Sequence, residues 1–142
     1  MNIAVASDHA GFQLKSAVIS HLSDLGYGII DRGTYSEDSV DYPDFIRRAV
    51  EKVALGECGR GIVMGGTGNG EAMTANRRKG IRCALCWNRE TARLAAAHNN
   101  SNMIALGAWL LQPQEAFDIV DVWLKTDFEG GRHVRRIAKM DQ

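Results

Sequence analysis

A glutamate closes a glycine-rich turn in this chain, Gly65-Gly66-Thr67-Gly68-Asn69-Gly70-Glu71. Four glycines in six residues let the backbone turn tightly and let a ligand approach the main chain. The apolar run at 61–64 ahead of the turn reads as a short buried strand, and 72–79 behind it reads as a helix. Unpaired N–H groups and the positive end of the helix dipole then face the turn, which makes it a cradle for an anion or a developing negative charge. Two nucleotide motifs almost fit. The dinucleotide fingerprint needs glycine where Glu71 stands, and the phosphate loop needs lysine there and Ser or Thr in place of Ala72. A carboxylate at that point repels phosphate. It suits a different task, taking a proton from carbon while nearby N–H groups hold the resulting oxyanion. Read alone, Glu71 is equally an ordinary first-turn acidic residue that favours its helix.

Other polar residues have chemical potential and a bland alternative. Asp8-His9 follows an apolar run and could serve a site, or Asp8 could cap the next helix. His98 ends a predicted helix, where a histidine also favours the dipole. Arg132, Arg135 and Arg136 read as a solvated basic face. Tyr42 either lines a pocket or packs beside Pro43. Cys83-Ala84-Leu85-Cys86 matches C-x-x-C only as text, because residues three apart on a strand point to opposite faces. These thiols read as small core hydrophobes.

The elements that must position these residues follow from periodicity. Strands are predicted at 3–7, 27–31, 61–64, 82–87 and 102–106. Between them, Leu14, Val18, Leu22 and Leu25 mark a first helix ending at Gly26, and Phe45, Ala49, Val50 and Val53 a second, opened by Pro43. Residues 89–97 form an alanine-rich helix. Ala116, Ile119, Val120 and Trp123 mark another after Pro113, and a short basic helix follows Gly130-Gly131. Strand–helix alternation of this kind predicts an α/β fold, a parallel sheet with helices on both faces. Ligands bind such sheets beyond the carboxyl ends of the strands. Asp8-His9 and the glycine turn both fall on that edge. His98 falls on the opposite one, which points to a site shared between chains.

Composition narrows the function. A chain of 142 residues suits one domain, here 1–142. Zero formal net charge argues against a nucleic-acid partner. No segment has the length and apolarity of a membrane span, and the amino terminus does not read as a signal peptide. Three cysteines fit reduced thiols and a cytoplasmic home.

Taken in order, Ser7-Asp8-His9-Ala10-Gly11, Asp41-Tyr42-Pro43, Gly66 to Glu71, Ala75-Asn76, Gly80-Ile81-Arg82, His98-Asn99 and Gly130-Gly131-Arg132-His133 resemble the ribose-5-phosphate isomerase B family, which includes galactose-6-phosphate and allose-6-phosphate isomerases. The resemblance covers nearly the whole chain. It implies a three-layer α/β/α sandwich, Rossmann-like, around a five-stranded parallel sheet. It implies aldose–ketose isomerisation of ribose 5-phosphate and ribulose 5-phosphate through a cis-enediolate, without metal or other cofactor, in pentose phosphate metabolism. Homodimers, or dimers of dimers, would share their active sites between subunits.

Residue by residue, the resemblance implies that Glu71 is the base. Many members carry a cysteine base at the position of Gly65, so this chain resembles the glutamate branch. Thr67 and the amides of Gly66, Gly68, Asn69 and Gly70 would hold the enediolate oxygens, and His98 would open the sugar ring by protonating its oxygen. Asp8 and Asn99 would contact hydroxyls. His9, Arg132 and Arg136 would hold the phosphate. One position departs from the family: Trp109 stands where an arginine usually makes a further phosphate contact. That keeps other substrates open, among them galactose 6-phosphate, allose 6-phosphate and a tetrose phosphate. A non-catalytic phospho-ligand-binding module is the remaining alternative.

Overall fold

A computed structural model describes residues 1–142. The elements run β1 (Asn2–Ser7), α1 (Phe12–Asp24), β2 (Gly28–Asp31), α2 (Tyr42–Ala54), β3 (Arg60–Gly65), α3 (Asn69–Ala75), β4 (Cys83–Leu85), α4 (Arg89–Ala97), β5 (Met103–Gly107), α5 (Pro113–Lys125) and α6 (Arg132–Ala138). The five strands form one parallel sheet in the order β2-β1-β3-β5-β4. Alternate residues of each strand face opposite layers. Ile3, Val5, Ile62, Met64, Ile104 and Leu106 pack against α1, α4 and α5. Ala4, Ala6, Val63 and Ala105 pack against α2 and α3. The result is the expected three-layer α/β/α sandwich. No helix is long and apolar enough to cross a membrane.

The cysteines follow the same alternation. Cys83 lies in the α2 side of the core and Cys86 in the α1 side, so they neither pair nor share a ligand. Burial pushes the Cys86 thiol up to about 12 and raises that of Cys83 too, which leaves both protonated and unreactive.

Two elements differ from the periodicity. α3 starts a turn earlier than expected and stops at Ala75, so 76–79 is not helical. The cause is Asn76, whose side-chain amide donates to the Cys83 carbonyl and accepts from the Cys83 N–H, both at 2.8 Å. That two-way bond takes the chain out of the helix and anchors the start of β4. β4 itself is shorter than 82–87, because the Arg82 N–H donates to the Asn102 side chain rather than to a strand.

A buried cation braces the carboxyl edge. Lys15 is 1% exposed and its Nζ lies 2.5 Å from Asp31 Oδ1. The same oxygen accepts the Gly33 N–H at 2.9 Å. The loop after β2 is thereby held against the end of β1, where Ser7 donates to the Gly33 carbonyl and its own carbonyl accepts from Thr34. Asp8 and His9 leave β1 from this braced point.

Candidate active site

The glycine turn connects β3 to α3, and its shape depends on Gly68. Gly68 has φ of +84°, a conformation that only glycine adopts cheaply. A Cβ there would also sit 3.1 Å from the Leu106 carbonyl. Two aromatic side chains wall the turn. A Cβ on Gly66 would lie 2.7 Å from the Trp109 indole, and one on Gly70 would lie 2.5 Å from the Tyr42 ring. Tyr42 therefore packs on the turn itself. The amides of Gly66, Thr67, Gly68 and Gly70 donate to no main-chain carbonyl. The Asn69 amide donates to Thr67 Oγ1 at 3.2 Å, so it orients the Thr67 hydroxyl.

Glu71 occupies the third position of α3 and is 4% exposed. Its side chain folds back over the start of the turn. A Cβ built on Gly65 would lie 1.4 Å from Glu71 Oε1. The carboxyl thus fills the space that any side chain at position 65 would need, and a side chain at 65 and a carboxylate from 71 exclude each other. Burial raises the Glu71 pKa, the negative charge of Asp8 raises it further, and a bond from its own amide pulls the other way. A buried carboxylate with a raised pKa, beside unpartnered amides, is equipped to take and return a proton. Gly65→Ala should evict it. We expect about a 100-fold loss of turnover, the scale of a misplacement near 1 Å, with the fold retained by circular dichroism. Unchanged turnover would show that the Glu71 position is immaterial.

Asp8 and His9 flank the same cradle. Asp8 is buried, and its Oδ1 accepts the Gly11 N–H at 3.0 Å. Gly11 rather than Asp8 is the N-cap of α1, so Asp8 holds the turn ahead of the helix and does not cap it, and its second oxygen stays available. His9 Nδ1 accepts the Val40 N–H at 3.1 Å. That bond assigns the acceptor nitrogen and leaves Nε2 as the donor. His9 opens onto a cleft of about 490 Å³ lined also by Gln13, Glu37, Ala108 and Trp109.

The remaining predicted residues form a second group at the other edge of the sheet, because α4 ends there and β5 starts there. His98 caps α4 at its C-terminus. The Asn99 side borders a cleft with Asn76, Arg82 and Ser101, and its carbonyl accepts from Arg82. Arg132 and Arg136 are exposed on α6 and make no ion pair. One chain therefore brings Asp8, His9, Thr67 and Glu71 together, and His98, Asn99, Arg132 and Arg136 together, but not the two groups with each other.

Two residues absent from the expected site join the second group. Glu129 Oε2 lies 3.6 Å from His98 Nε2 and 3.9 Å from His133 Nε2. The two imidazoles stack with centroids 4.3 Å apart. Burial lowers the His133 pKa, as do the charges of Arg132 and His98. Glu129 precedes α6 across Gly130-Gly131, so no regular spacing in the sequence signals this contact.

Fold and sequence together define an isomerase. The chain matches the family described as Ribose/Galactose Isomerase over residues 3–140 and belongs to that family. It is similar to a ribose 5-phosphate isomerase from Thermotoga maritima, with a TM-score of 0.97 and 49% identity over 99% of this chain and 97% of that one. It is also similar to ribose-5-phosphate isomerase B from Mycoplasma genitalium, solved with bound ribulose-5-phosphate (TM-score 0.93, 41% identity, 98% and 93% covered). A third relative, ribose-5-phosphate isomerase B of Escherichia coli, is 40% identical over 95% of this chain and 91% of its own length. Several relatives of similar identity are named only at the level of a sugar phosphate isomerase.

Proposed function

We propose that the protein interconverts ribose 5-phosphate and ribulose 5-phosphate through a cis-enediolate, in pentose phosphate metabolism. The observation that carries this reading is the Glu71 carboxyl, buried at the mouth of the glycine turn with its pKa raised. Glu71 takes the C2 proton of the open-chain aldose and returns it at C1. The amides of Gly66, Gly68 and Gly70 and the Thr67 hydroxyl, oriented by Asn69, stabilise the oxygens as negative charge develops. Asp8 contacts a sugar hydroxyl, and His9 donates to the phosphate through Nε2. No metal or other cofactor takes part in these steps, and the resident thiols fit a reduced, cytoplasmic setting.

The site is completed by a second copy of the chain. His98 of the second copy protonates the ring oxygen, Asn99 holds a hydroxyl, and Arg132 and Arg136 bind the phosphate. Two observations support pairing. The two groups of site residues lie on opposite edges of one sheet. Trp87, Trp109 and Leu110, all on the carboxyl edge, are large hydrophobic residues exposed to solvent, a grouping that marks an interaction surface. A homodimer, or a dimer of dimers, satisfies both.

Trp109 favours a second reading, the same chemistry on another sugar phosphate. It stands beside His9 in a cleft that also holds the Glu37 carboxylate, so that cleft offers a phosphate little positive charge. Assay with chelator present against ribose, galactose and allose phosphates and a tetrose phosphate separates the two. Ribose 5-phosphate should give the highest kcat/KM. Trp109→Arg should raise that value roughly tenfold, as a charge-assisted hydrogen bond contributes about 1.5–3 kcal/mol. A higher wild-type kcat/KM on a hexose phosphate, lowered by Trp109→Arg, would transfer the assignment to that sugar.

A further inference from the structure

We propose that His98, Glu129 and His133 form a binding site for a Zn²⁺-class divalent cation, and that its occupancy inhibits the isomerase. His98 Nε2, His133 Nε2 and Glu129 Oε2 lie within 4.8 Å of one another. Two of the three separations are 3.6 and 3.9 Å. Tetrahedral ligation with bonds of about 2.0–2.1 Å spaces ligand atoms about 3.4 Å apart. Closing from this arrangement therefore needs roughly 0.5 Å or less along those two edges, together with a rotation of the stacked imidazoles, whose planes lie 19° apart, to aim both Nε2 lone pairs at one point. Two imidazoles, one carboxylate and an open fourth position match a common donor set for zinc.

Three further features point to a ligand. His133 is 7% exposed and its Nε2 has no hydrogen-bond partner. Such a buried polar atom is uncommon, and a cation at this point would satisfy it. The His98 and Glu129 side chains are partly open to solvent, which gives a cation access and leaves room for a water. The two segments are also fixed to each other, since the Glu129 N–H donates to the Ala97 carbonyl at 2.9 Å. Nitrogen-rich donors select Zn²⁺, Co²⁺ or Ni²⁺ over Mg²⁺ and Ca²⁺. Neighbouring Arg132 weakens cation binding, so the site suits reversible occupancy rather than a permanent cofactor. The cation would take the Nε2 lone pair that a ring-opening acid must keep for its proton. This inhibitory half rests on the role proposed above for His98.

Zn²⁺ alone, titrated into the purified protein by calorimetry, tests the site. One ion per chain should bind, and binding should weaken as pH falls and the imidazoles protonate. Glu129→Gln, at a half-exposed position where folding is not at risk, and His133→Gln should each weaken it by at least about tenfold, the change that even indirect metal contacts produce. No binding, or unchanged binding in both variants, would overturn the site. Zn²⁺ should also inhibit ribose 5-phosphate turnover at the concentrations that fill the site, Mg²⁺ should not, and chelator should reverse the effect. Site-dependent Zn²⁺ binding with untouched turnover would overturn the inhibitory half alone. Failure of the isomerase assignment itself would appear separately, as no turnover by chelator-treated wild type.

Discussion

Glu71→Gln will abolish isomerisation and make the protein more stable. The amide keeps the shape of the carboxyl and loses its basicity. General bases contribute about 10²–10⁴-fold, and here one group makes both proton transfers, so a loss of about 10³-fold or more is expected. Binding of the sugar phosphate should persist, because the phosphate contacts are elsewhere. The stability gain follows from the direction of the pKa. Burial and Asp8 raise Glu71 above its ordinary value of 4.5. A raised carboxyl favours the folded state fully below that ordinary value, and the contribution is lost as pH rises through the folded pKa. At pH values above that ordinary value the wild type therefore carries a cost that glutamine removes. Thermal unfolding should show a higher Tm for the variant at neutral pH, with a gap that closes below about pH 4.5, where the wild type is protonated too. The same direction places the acid limb of the wild-type kcat/KM profile above the ordinary carboxyl range. Near-normal turnover of the variant would exclude Glu71 as the base, and a lower Tm at pH 7 would exclude the buried charge.

This combination was only half legible in the sequence. The failure of both nucleotide motifs at Glu71 identified a carboxylate in an anion cradle. It did not reveal that the carboxyl folds back onto Gly65. That contact depends on α3 beginning at Asn69, a turn earlier than the apolar pattern places it, because the left-handed Gly68 starts the helix and the Asn76–Cys83 bond stops it. Strand periodicity carried the sheet and the separation of Cys83 from Cys86, since alternation is local. It could not carry the Lys15–Asp31 brace or the contact of His98 with Glu129 and His133. Each joins segments more than ten residues apart, and a single charged residue looks solvated until its partner is placed beside it. Trp109 was visible as a departure from a family pattern, but its indole lying on Gly66 is a packing fact of the folded chain.

His98→Asn should cost about 10³-fold on ribose 5-phosphate, within the range of a lost general acid, and less than tenfold on an aldose phosphate too short to close a ring. Ring opening needs a proton on the ring oxygen, whereas enolisation of an open aldehyde needs only Glu71 and the cradle. Equal losses on both substrates would remove the ring-opening role. The same variant tests whether the site is shared. In one chain His98 and Glu71 sit on opposite edges of the sheet, so a shared site takes Glu71 from one copy and His98 from the other. In a symmetric dimer each copy then contributes to both sites. Neither Glu71→Gln nor His98→Asn protein is active alone. Unfolded together in equal amounts and refolded, half of the dimers become hybrids. Each hybrid has one site with both lesions and one with neither. Recovery of about a quarter of wild-type activity follows from that pairing. If both catalytic residues act within one chain, every site in the mixture carries a lesion and no activity returns. The mixing experiment therefore decides between the two arrangements without a structure of the assembly.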